Sequence, residues 1–160
     1  MIFVTVGTQK FQFNRLLAAV DLLVEKRLIR EPVIAQTGCS TYRPRNYEAV
    51  DFMGKEEFDA AIQQCSLLVT HGGVGTILSG LKARKKIIVV PRRKAFGEHV
   101  DDHQMEIAER FEKMGYLRVC WKMGDLLSCC QSMEAFNCRS LEIDFSETAR
   151  FINQYLSGIE

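Results

Sequence analysis

Four short apolar runs recur along the chain with little polar alternation: IFVTV at 2–6, VIAQ at 33–36, LLVT at 67–70 and IIVV at 87–90. A strand open to water on one side alternates polar and apolar positions, whereas one covered on both faces does not. Each run is separated from the next by residues at helical spacing. Phe13, Leu16, Leu17, Val20, Leu23 and Val24 fall at offsets of 3, 4, 7, 10 and 11, which is a single apolar helical face. Phe58, Ala61, Ile62 and Cys65 describe a second helix, and Glu56 and Glu57 lie in its first turn, where the helix dipole favours them. The alternation predicts a doubly wound, Rossmann-like α/β domain: a parallel sheet with helices on both faces.

The remaining elements are weaker. A short strand is expected at Ala49–Phe52. A helix should follow the glycines and run to about Ala83. Met105, Ala108 and Phe111 share a helical face ending near Gly115, a strand is expected at Leu117–Cys120, and a short helix near Leu126. A last helix puts Phe145, Ala149, Ile152 and Leu156 in register, with Asp144 and Glu147 as its N-terminal capping pair. With 160 residues, and no repeat, linker or low-complexity tract, the chain reads as one domain over 1–160.

Net charge is +1, which argues against a nucleic-acid binder, whose surface would be strongly basic. No window approaches a membrane span, and the first residues lack the basic segment of a signal peptide. The six cysteines form no C-x-x-C pair and no zinc spacing. They read as reduced, small hydrophobic residues in a cytoplasmic protein.

The most informative stretch is THGGVGTILSGL at 70–81, with three glycines in four positions where a strand gives way to a helix. In an open parallel sheet, ligands bind beyond the carboxyl ends of the strands. The free amides at a helix start form an anion site there, and glycine lets a negatively charged oxygen approach the backbone. Thr76 offers a hydroxyl and His71 an imidazole. A phosphate or diphosphate is the group expected. The stretch is neither a Walker A loop nor a G-x-G-x-x-G motif. Gly7, Thr8 and Gln9, in the turn after the first strand, are placed to line the same cleft.

H-G-G-x-G-T after an apolar strand, then VVP at 89–91, then D-D-H-Q at 101–104, resembles the nucleotide-sugar half of GT-B glycosyltransferases of family 28, the MurG family. Within it, the chain is similar to small single-domain subunits of two-component enzymes: PssE-like exopolysaccharide (capsule) proteins and the soluble subunit of the dolichol-linked GlcNAc transferase. The resemblance runs from residue 1 to about 115. It implies the C-terminal half of a GT-B fold and a UDP-sugar donor, with no metal or other cofactor. It also implies a site of Gly7, Thr8, Phe52, Met53, His71, Gly72, Gly73, Val74, Gly75, Thr76, His103 and Gln104. Backbone of Gly73–Thr76 would hold the diphosphate, Phe52 and Met53 would lie at the uracil, and His103 and Gln104, with Asp101 nearby, at the sugar hydroxyls. Ser79 departs from the pattern, since many relatives carry there a Glu that binds the ribose.

The acceptor half, with the catalytic base, would come from a membrane-anchored PssD-like partner that binds a lipid-linked saccharide. The chain would then sit in the cytoplasm, peripheral at the inner face of the cell membrane. Transfer would invert the sugar, from UDP-galactose or UDP-GlcNAc. His71 is a weak candidate for a proton role. Phe11, Phe13 and Phe96 are candidates for a docking face, with core packing favoured for Phe13. Arg92, Arg93 and Lys94 read as a solvated loop, or as cations that attract UDP or an anionic membrane. Asp101 and Asp102 read alternatively as helix caps. Self-association of the chain alone stays open. Two other readings also stay open: a non-catalytic subunit that recruits or enhances a partner transferase, and an unrelated nucleotide-binding domain.

Overall fold

A computed structural model describes residues 1–139. Its strands are β1 (Ile2–Thr5), β2 (Val33–Gln36), β3 (Glu48–Val50), β4 (Leu67–Thr70), β5 (Lys86–Val89) and β6 (Arg118–Val119). Its helices are α1 (Asn14–Glu25), α2 (Lys55–Gln64), α3 (Val74–Lys82), α4 (His103–Lys113) and α5 (Leu126–Ser132). The expected helix over Phe145–Leu156 lies outside the described residues.

All strand pairs are parallel, in the order β3-β2-β1-β4-β5-β6. The doubly wound sheet expected from the sequence is the one observed. Side chains of β1 divide between two cores. Ile2 and Val4 point to one, with Phe13, Leu16, Leu17 and Val20 of the α1 region and Leu126 of α5. Phe3 points to the other, with Ile62 of α2, Ile77 and Leu81 of α3, and Ile107, Ala108 and Phe111 of α4. That is why the central strands carry no polar alternation. β3, at the edge, is exposed along its length and ends at Val50, leaving Phe52 outside it and exposed. Phe13 is buried in the first core, whereas Phe96 is exposed.

Strand order reverses at β1, whose neighbours are β2 and β4. Thr5 pairs with Thr70, so the turns after β1 and β4 leave the sheet side by side. This is the switch point where open α/β sheets bind ligands. Among the described residues, no helix is long and apolar enough to cross a membrane, and no group of three His, Cys, Asp or Glu is arranged to hold a metal ion. Burial pushes the Cys120 thiol up to about 12 and the Cys130 thiol up to about 11, which suits packing rather than reactivity.

Candidate functional site

The cleft is built from four segments at the carboxyl edge of the sheet: the loop after β1, the glycine turn before α3, the loop after β5, and the start of α4. Glycine 73 caps α3 with extended backbone (φ −75°, ψ 123°), and no side chain among the described residues caps this helix. The first intrahelical bond runs from the Ile77 amide to the Gly73 carbonyl. By helix geometry, the amides of Val74, Gly75 and Thr76 have no intrahelical acceptor. They present the positive end of the helix dipole to the cleft. Gly75 is exposed, and a Cβ added there would meet nothing within 4 Å.

The other glycines have a packing reason that the sequence does not show. A Cβ on Gly73 would lie 2.3 Å from His71 Nε2, and one on Gly7 (φ +77°) would lie 2.6 Å from His71 Cε1. One on Gly72 would lie 2.8 Å from the Gln104 carbonyl oxygen. Gly7 and Gly73 therefore close over the imidazole from two sides, and Gly72 lets the turn settle on α4. Of these four glycines, Gly75 alone opens on free space.

His71 is buried. The Thr70 hydroxyl lies 3.2 Å from the Thr5 carbonyl oxygen and 3.2 Å from His71 Nδ1. The Thr70–His71 hydrogen bond runs in the direction set by which ring nitrogen carries the proton. Burial above all, with the Arg92 guanidinium and His99 adding to it, pushes the His71 pKa down to about 4 despite a hydrogen bond to the Thr5 backbone. At neutral pH the ring is uncharged, so it brings no positive charge to a phosphoryl oxygen. A base of such low pKa is also poorly matched to proton transfer near pH 7. Its place is the floor of the cleft, spacing the two glycine turns.

Gln104 is buried as well, and its Oε1 accepts from the Gly72 amide at 3.1 Å and the Arg92 amide at 3.2 Å. The amide oxygen is thus committed to backbone. His103, at the first position of α4, is exposed, and its amide donates to Asp101 Oδ1 at 3.0 Å. Asp101 fills the capping role there, while Asp102 Oδ1 accepts from the Lys94 amide at 2.9 Å and ties the loop after β5 to the helix start.

Thr8 is exposed beside Gly7. Phe52 and Met53 lie beyond β3. The Met53 amide donates to Gln36 Oε1 at 3.0 Å, and Gln36 in turn reaches Thr5 Oγ1 at 3.4 Å. This buried glutamine, absent from the sequence-based site, links the Phe52–Met53 segment to the switch point. Ser79, on α3, donates to the Gly75 carbonyl at 3.0 Å, which is helix back-bonding.

The loop after β5 contains the largest departure. Arg92 is fully buried, neither solvated nor facing a membrane. Its guanidinium donates to the carbonyls of Val6, Phe11, Gln12 and Glu98. No local pattern announces this arrangement, because three of the four acceptors lie 80 to 86 positions away from Arg92 in the chain. Arg93 and Lys94 are more accessible, and Arg93 stacks over the exposed Phe96.

Comparison with known proteins bears on this arrangement. Two curated relatives are "UDP-N-acetylglucosamine transferase subunit ALG13" of Mus musculus, 29% identical over 125 residues, and of Homo sapiens, 30% identical over 126. Each alignment covers 74% of this chain but only 10% and 11% of the relative, so the chain spans about a tenth of their length. Among solved structures, the solution structure of ALG13 superposes with a TM-score of 0.58 at 19% identity, over 89% of each chain. The crystal structure of the kitacinnamycin glycotransferase superposes at 0.63 and 20% identity, over 82% of this chain and 34% of that one. Such likenesses show the fold, a Rossmann-like half of a GT-B glycosyltransferase. Residues 1–153 match the glycosyltransferase family 28 C-terminal domain, and the chain belongs to that family.

Proposed function

We propose that this chain is the donor-binding subunit of a two-component inverting glycosyltransferase, holding a UDP-sugar while a separate membrane-anchored protein, PssD-like in role, presents a lipid-linked saccharide. One observation carries the reading: in a family 28 domain, the uncapped amides of Val74, Gly75 and Thr76 face the Gly7–Thr8 turn at the sheet's switch point. Fixed amides and a helix dipole suit a diphosphate, and they suit it more as the leaving group gains charge. Phe52 and Met53 would lie at the base, with His103 and the Gln104 amide nitrogen at the sugar.

In the reaction the bond from the anomeric carbon to the diphosphate breaks and a bond to an acceptor oxygen forms. The acceptor proton passes to a base on the partner, since His71 is buried and held neutral. UDP-GlcNAc is the preferred donor because the curated relatives are named as UDP-N-acetylglucosamine transferase subunits. UDP-galactose, and a place in exopolysaccharide or capsule synthesis, remain readings for the same test. That test is calorimetric titration with UDP-GlcNAc, UDP-galactose, UDP, ATP and NAD, followed by sugar transfer to a lipid-linked acceptor with the partner present. UDP compounds should bind while ATP and NAD do not, and transfer should need both chains. Equal transfer by the partner alone would make this chain an enhancer, and preferential binding of NAD or ATP would make it an unrelated nucleotide-binding domain.

A further inference from the structure

Arg92 has more hydrogen-bonding work and more charge than a structural loop residue needs. Its Nη2 donates to the Val6 carbonyl, immediately before Gly7. Its Nη1 lies 3.0 Å from the Phe11 carbonyl, 3.4 Å from that of Gln12 and 2.9 Å from that of Glu98. One planar group therefore clamps both ends of the 7–12 loop, a geometry that suits guanidinium and not ammonium. The Arg92 amide shares the Gln104 Oε1 acceptor with the Gly72 amide, so the same residue is also tied to the glycine turn. Arg92 Nε is buried and has no partner among the described residues.

The charge is matched locally only in part. The Glu98 carboxylate, the acidic group nearby, is taken by Arg15, with Oε1 at 2.6 Å from Nε and Oε2 at 3.0 Å from Nη2, and it also accepts from the Arg93 amide at 2.9 Å. Two guanidinium groups thus share one carboxylate. The cluster carries a net positive charge, and Arg92, its fully buried member, meets carbonyl dipoles and the Phe13 ring, 5.1 Å from its guanidinium carbon, and feels the shared Glu98 charge. Burial of a charge is costly unless it is paired and hydrogen-bonded, and here one carboxylate serves two guanidinium groups.

We propose that Arg92 is the positioning residue of the cleft: it holds the 7–12 loop against the glycine turn, and the net positive charge it gives the cluster behind the floor favours a diphosphate over a neutral ligand. The proposal rests on the nucleotide reading above for its ligand, but not for its effect on the loop or on His71. Among charged and titratable groups, Arg92 and His99 act on His71, both lowering its pKa after burial itself.

The test uses the full chain with Arg92→Gln and Arg92→Lys, titrated with UDP and with uridine. The His71 titration is followed by NMR, and hydrogen exchange is followed for the 7–12 amides. Arg92→Gln should lose about tenfold in UDP affinity while uridine binding changes less than about twofold, and Arg92→Lys should keep UDP within about threefold. The His71 midpoint should rise in the Gln variant and return in the Lys variant. Exchange at 7–12 should quicken in both. UDP binding and a His71 midpoint unchanged in Arg92→Gln would overturn the electrostatic half, and unchanged exchange in both variants would overturn the positioning half. If Arg92→Gln does not fold, Arg92→Lys decides: faster loop exchange with the UDP preference kept supports the proposal, and unaltered exchange overturns it. A wild-type chain that ignores UDP would sink the nucleotide reading alone, since exchange and the His71 midpoint still judge Arg92.

Discussion

Replacing Gly73 by Ala tests whether the glycine turn is shaped by its own histidine. Glycine 73 has ordinary negative φ, so alanine meets no backbone penalty. The obstacle is the ring: the new Cβ would sit 2.3 Å from His71 Nε2, about an ångström inside normal contact. Overpacking of this kind costs about 1–3 kcal/mol. The gain from a stiffer unfolded chain, about 0.4–1 kcal/mol, is offset by the poorer capping of alanine. A net loss of about 1–3 kcal/mol should appear in urea unfolding without ligand. In a His71→Ala background the clash is gone, so the same change should be close to neutral, a coupling of about 1–2 kcal/mol. Gly75→Ala is the contrasting case. Its Cβ enters open space, and alanine in a helix should stabilise by about 0.5–1 kcal/mol while weakening UDP binding. Equal costs for Gly73→Ala with and without His71 would refute the account of the turn.

Acid should weaken the fold through His71. Its folded pKa is about 4 against 6.5 for the free group, so the unfolded chain binds the extra proton between those values. Stability is complete above about pH 6.5 and declines toward pH 4, by roughly 3 kcal/mol at most. Urea midpoints over that range should flatten in His71→Ala, and an unchanged slope would count against a buried neutral ring. Asp21→Ala should cost about 1–3 kcal/mol and loosen residues 42–46, because this buried carboxylate accepts from the Tyr42 hydroxyl at 2.7 Å and from the amides of Arg45 and Asn46. Faster amide exchange at Arg45 and Asn46, with α1 still protected, would confirm it; unaltered exchange would not.

The central strands were legible because burial on both faces leaves one kind of mark. Val33–Gln36 and Leu67–Thr70 coincide with their observed strands, whereas β3, exposed at the edge, lies one to two residues away from the expected Ala49–Phe52. Parallel strands alone put the Gly7 and Gly72–Thr76 turns on one edge of the sheet, and the observed pairing of β1 with β4 brings them side by side. Roles within the site were harder to read. A glycine needed for a ligand and a glycine needed for a neighbouring ring look identical in sequence. Arg92 reads as one of three cations in a loop until Val6, Phe11, Gln12 and Glu98 fold around it. Gln104 was placed at the cleft by resemblance, but only the packed structure shows its oxygen turned to the backbone of Gly72 and Arg92.

The most direct measurement is an amide NMR titration of the labelled chain with UDP and, separately, uridine. UDP should shift the Val74, Gly75 and Thr76 resonances strongly, together with Gly7 and Thr8, and uridine should leave the helix start almost still. Saturating UDP that moves none of the three α3 amides would contradict the claim that this helix start holds a diphosphate.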